Sequence, residues 1–94
     1  MKIDKKIEDD ILYISVEGRL DTNTCQELER AVEHLDEIKK IIFDFERLDY
    51  ISSAGLRVLL ACQKSKGNVI IKNVNNDIKE VLDITGFSDI LTIE

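Results

Sequence analysis

Two short runs of consecutive apolar residues, "IIFDF" at residues 41–45 and "VII" at residues 69–71, constrain the fold of this chain more than any other feature. A strand that is apolar at successive positions is expected to be buried on both faces, as in the middle of a sheet flanked by helices. Around these runs the apolar period changes. Leu56, Val58, Leu59, Leu60 and Cys62 predict a helix over residues 54–66, closed by Gly67 as a left-handed C-cap. So apolar a helix must be largely covered. Ile78, Val81, Leu82 and Thr85 recur at i, i+3, i+4 and i+7, predicting a third helix capped by Asn76 or Asp77 and stopped at Gly86.

Upstream, "ILYISVEG" alternates and is rich in β-branched and aromatic residues, which predicts a strand over residues 11–17 that ends near Gly18. A weaker strand lies within residues 2–7, joined to it by an acidic turn at residues 8–10. Thr24 with Glu27 fits a capping box. Cys25, Leu28, Val32 and Leu35 then carry an amphipathic helix to about residue 37. A strand over residues 40–46 follows, and "FSDILTIE" closes the chain as a short apolar strand or tail. The order β-β-α-β-α-β-α plus a C-terminal tail, without proline, repeat or linker, predicts one α/β domain over residues 1–94. Its mixed sheet should hold four to five strands, with about three main helices.

Several function classes drop out. No apolar run is long enough to span a bilayer, and "MKIDKKIEDD" has no apolar core of a signal peptide, so a cytoplasmic protein without membrane insertion is expected. Cys25 and Cys62 sit in helix-periodic positions and read as reduced, buried thiols. With no CxxC and His34 as the single histidine, no metal site is expected. Of the formal net charge of −6, residues 21–49 carry −5, from nine acids against four bases. Such a surface repels nucleic acid and anionic lipid; it suits a basic protein partner, or simply solvates a helix face.

The chain has no GxGxxG, no GxxxxGK[ST] and no HExxH, so no cofactor is implied. A hydrolase using Ser53 would need a base, and His34 falls in the middle of the first predicted helix. No catalytic constellation emerges, and a binding protein rather than an enzyme is expected.

The stretch "LDYISSAGLRVLL", residues 48–60, allows two readings. A serine before Ala54-Gly55-Leu56 is a good N-cap and needs no other reason. Gly55, though, is a poor helix residue, and bare backbone near a helix N-terminus lets another molecule approach. Free amides and the macrodipole there favour an anion such as phosphate, so a serine at this point is also a candidate phosphorylation site.

The same stretch resembles the signature of the STAS domain, the fold of bacterial anti-sigma factor antagonists. "VEGRLDTNT" is similar to the family's loop into the first helix, "IIFDFERL" to its central strand, and "IKEVLDITGFSDIL" to its C-terminal helix, glycine and tail. The resemblance implies that Ser53, two residues before Gly55, is phosphorylated by an anti-sigma factor serine kinase. The unphosphorylated form would bind that kinase, the phosphorylated form would let go, and a serine phosphatase would reset it. It further implies a partner-binding tip containing Asp21, Thr24, Ser52, Ala54, Gly55, Leu56 and Arg57. Switch members of the family carry an aspartate before the acceptor and often serine or threonine after it, where this chain has Ser52 and Ala54. STAS domains also serve as subunits of lipid-import ABC systems, which is the alternative reading.

Overall fold

The computed structural model describes every residue except His34, so the reading of that histidine lies outside the described residues. Ten elements follow one another. β1 (Lys2–Glu8) and β2 (Ile11–Leu20) form the opening hairpin, and α1 (Cys25–Ala31) leads to β3 (Lys40–Asp44). β4 (Leu48–Ile51) runs into α2 (Ser53–Lys66), then β5 (Val69–Lys72), α3 (Asn76–Ile84), a 3-10 turn (Phe87–Asp89) and β6 (Thr92–Ile93).

The sheet is mixed and six-stranded, with order β1-β2-β3-β5-β6; β4 pairs β2 off this path. Among the described residues only the β1–β2 pair is antiparallel. Antiparallel strands can be joined by a tight turn, whereas each parallel pair needs a crossover, which the three helices supply. β2 organises the sheet. Residues Ile11 to Ser15 pair β3, the register shifts at Gly18, and Gly18 to Leu20 pair β4.

Three expectations are corrected by this arrangement. The strand expected to end near Gly18 continues two residues further, because β4 supplies new partners there. β4 is an addition to the expected order: Leu48–Ile51, a strand-like run of only four residues before the serines, forms a strand of its own. The helix expected to reach residue 37 stops at Ala31. Extending it would set Glu33, Asp36 and Glu37 at the negative end of the helix dipole. Turns instead deliver Ile38 to the core, and Lys39 donates its amide to the Asp10 carbonyl at 2.8 Å, which aligns β3 beside β2.

The core lies between the sheet and the helices. Leu12, Ile14 and Val16 of β2, Ile41 and Phe43 of β3, and Val69 and Ile71 of β5 meet Leu28, Leu59 and Leu82 of the helices. Phe43 and Phe45 sit 5.5 Å apart at their ring centroids. Ile42 and Ile70, registered side by side on the alternate positions of β3 and β5, are also buried, as the unbroken apolar runs require. Gly67 closes α2 at φ 70°, donating to the Gln63 carbonyl, as its position after the last helical residue predicts. α3 is capped by Asn75 rather than Asn76 or Asp77: the Asn75 carboxamide oxygen accepts the Ile78 amide at 2.9 Å.

Candidate functional site

Strands β2 and β4 run parallel and end together: Leu20 registers with Ile51, and the Ser52 amide donates to the Leu20 carbonyl at 2.9 Å. The chain segments that follow, Asp21–Thr24 on one side and Ser52–Ser53 on the other, therefore leave the sheet side by side. In open α/β sheets the carboxyl ends of the strands are where ligands bind. The predicted grouping of Asp21 and Thr24 with the serines follows from this ladder.

The first of these segments is internally bonded. The Asp21 carboxylate accepts the Asn23 amide at 3.0 Å and the Thr24 amide at 3.2 Å. The Thr24 hydroxyl accepts the Asp21 amide at 2.9 Å and donates to the Arg19 carbonyl at 2.7 Å. The expected capping box does not form. Thr24 has helical backbone angles, and its side chain caps nothing in α1; it points back into the loop. Desolvation pushes the Asp21 carboxyl up, but the amides of Asn23 and Thr24, the Thr24 hydroxyl and the Arg19 charge outweigh it and hold the group below its ordinary value.

In the second segment the two serines have separate jobs. Ser52 is the N-cap of α2: it has extended backbone angles, and its hydroxyl accepts the Gly55 amide at 3.3 Å. Ser53 is the first helical residue and is exposed, and its hydroxyl makes no hydrogen bond among the described residues. An aspartate at position 52 would cap equally well, so the serine found there keeps the geometry while removing a charge.

Gly55 corrects a sequence-based expectation. It is buried, not open ground: a Cβ built there would stand 2.8 Å from Leu20 Cγ and 3.0 Å from Ile51 Cγ1. The glycine exists so that α2 can lie directly on the ends of β2 and β4. Leu56 is likewise buried in the core, and Ala54 packs against its edge, so of the expected tip residues on α2 only Ser53 and Arg57 present exposed side chains.

Two residues at this end were not anticipated. Arg19 registers with Tyr50 across β2 and β4, and its guanidinium lies 4.2 Å from the centre of the Tyr50 ring. Arg19 Nε is also 3.7 Å from the Asp21 carboxylate. Tyr50 keeps 40% of its surface exposed, so β4 presents an aromatic side chain to the outside two residues before Ser52. Strand alternation gives no signal for it, because Leu48 and Ile51 are both buried while Asp49 and Tyr50 are both exposed; the register shift opposite Gly18 and Arg19 turns Tyr50 outward.

The two cysteines are free and buried. Burial pushes the Cys62 thiol up to about 11, against the pull of Lys66, so it is a neutral packing group. Among the described residues no group of three or more histidine, cysteine, aspartate or glutamate side chains is placed to hold a metal ion. Among the described residues no helix is long and apolar enough to cross a membrane.

Known proteins share this architecture. The family model of the STAS domain matches residues 2–94. BtrV of Bordetella bronchiseptica, named as an anti-sigma factor antagonist, is 30% identical over 99 residues, which cover 99% of this chain and 85% of BtrV. The unphosphorylated form of the anti-sigma factor antagonist SpoIIAA shares the fold with a TM-score of 0.86 at 17% identity, over 99% of this chain and 88% of its own. The phosphorylated form of the Bacillus SpoIIAA gives 0.78 at 17% identity, over 99% and 91%. With its opening hairpin, its helices threaded between parallel strands and a serine at the start of α2, the chain belongs to the STAS domain family.

Proposed function

We propose that this protein is an anti-sigma factor antagonist: a cytoplasmic protein-binding switch, not an enzyme, whose state is set by phosphorylation of Ser53. The observation that carries this reading is the division of labour between Ser52 and Ser53. Ser52 does the capping, so Ser53 is left exposed with an unbonded hydroxyl and no structural task. The likeness to BtrV supports the regulatory class.

The partner would be an anti-sigma factor serine kinase, docked on the tip formed by Ser53, Arg57, Asp21, Thr24 and the neighbouring Tyr50. The Ser53 oxygen attacks the γ-phosphorus of ATP held by the kinase, the bond to ADP breaks, and the hydroxyl proton leaves to a kinase base. The product carries a charge of about −1.5 to −2 at the contact surface, which repels an acidic face and obstructs close docking. A serine phosphatase returns the free hydroxyl.

Incubation with a cognate anti-sigma factor serine kinase and ATP should add one phosphate by intact mass, and Ser53→Ala should abolish it. Ser53→Asp should fold and lose the kinase. Undiminished phosphorylation of Ser53→Ala, or equal kinase affinity of wild type and Ser53→Asp, overturns the reading.

A further inference from the structure

Arg57 lies four residues after Ser53 on α2, and both side chains are exposed. Residues at this spacing are neighbours, with Cβ atoms about 5–6 Å apart, and the Cα–Cβ bonds of a helix tilt toward its N-terminus. The Arg57 side chain thus starts back along the helix in the direction of Ser53. Among the described residues Arg57 forms no hydrogen bond or ion pair. The other nearby arginines are engaged: Arg19 with Tyr50 and Asp21, and Arg47 with Glu17 at 3.9 Å. The first turn of α2 contains no acid that would compete. The carboxylates that share a groove with Arg57 are Glu29 and Glu33, and Ser53 does not line that groove.

We infer that Arg57 is the in-chain counter-ion of a phosphate on Ser53, an inference that rests on the reading of Ser53 given above. A phosphate at that position brings three acceptor oxygens, and the guanidinium offers a planar fork of donors that suits them. A negative group four residues before a positive one is also the favourable order on a helix. Phosphorylation then changes two things at once: it adds charge at position 53, and it draws Arg57 off the surface that the unphosphorylated protein presents to its partner. The tip's remaining charges, Asp21 with Arg19 on β2 and its loop and Asp49 on β4, stay as they are in both states.

The test installs phosphoserine at position 53 during translation, so that no kinase is involved. The second ionisation of the phosphate is then followed by phosphorus NMR. A phosphoserine titrates near pH 6. Arg57→Gln should raise that value by about 0.2–0.4 unit, the equivalent of one i,i+4 ion pair. Arg57→Lys should recover part of the difference, since it keeps the charge and loses the fork. Lys64→Gln, about three turns away on the same helix, should leave the titration unchanged. An Arg57→Gln phosphoprotein that titrates with the wild type, or a Lys64→Gln effect of the same size, overturns the inference. Neither result bears on whether a kinase uses Ser53, and a kinase that ignores Ser53 would leave this measurement standing.

Discussion

The segments that enter α1 and α2 leave the sheet at neighbouring strand ends, yet they treat their polar groups in opposite ways. The α1 entry closes on itself: the Asp21 carboxylate, the Thr24 hydroxyl and the Asn23 and Thr24 amides are bonded to one another or to the Arg19 carbonyl. The α2 entry uses one hydroxyl, that of Ser52, and leaves the adjacent one, that of Ser53, unbonded. The first is a bracket that holds its shape without help. The second pairs a fixed cap with a free acceptor, which is what a modification site needs if phosphorylation is to alter the surface without unravelling the helix.

This contrast can be broken most sharply at Gly55. If α2 must touch the strand ends, Gly55→Ala should destabilise the fold by roughly 1–3 kcal/mol in urea unfolding, because the new methyl meets the fully buried Leu20 at 2.8 Å. A neutral or stabilising alanine would mean that helix propensity outweighs the contact, and that the glycine serves the partner after all. Ser52→Ala comes next. Loss of the cap should cost about 0.5–2 kcal/mol, while phosphorylation of Ser53 by the kinase persists.

Acid should weaken the bracket. The Asp21 carboxyl is held below its ordinary value of 3.8 in the folded protein. Its contribution to stability is therefore complete above that value and is lost as the pH falls through the lowered folded value. Melting temperatures followed from about pH 5 to about pH 2 should show a step that is smaller in Asp21→Asn, whose amide oxygen still accepts the loop bonds. The smallest effect belongs to the residue with the largest proposed role. Ser53→Ala should change stability by less than about 0.5 kcal/mol. A loss as large as that of Ser52→Ala would erase the distinction between the two serines.

Much of the scaffold was legible along the chain. The alternation of residues 11–17, the unbroken "IIFDF" and "VII" runs, and the helical spacing from Leu56 to Cys62 each carry one period over enough residues to identify the element. What failed was short or contextual. β4 is too brief to show a period, and it exists because the end of β2 lies open beside it. The capping box of Thr24 and Glu27 had the right letters, but the hydroxyl found the Arg19 carbonyl closer to hand. In the candidate site, Ser53 and Arg57 stand exposed as the signature stretch suggested, whereas Gly55 and Leu56 turned inward and Tyr50 was overlooked.

Local periodicity and turn chemistry, written in the order of the residues, were enough to determine the long strands and helices, and that a serine stands just before the Ala-Gly-Leu start of a helix. Only the tertiary structure decided which of the two serines caps the helix, why the third residue of that helix is glycine, and which side chains stand beside the free hydroxyl. Those answers depend on Leu20 lying against Ile51 and under Gly55. Contacts of that kind, made across some thirty residues of chain, leave no period in the sequence.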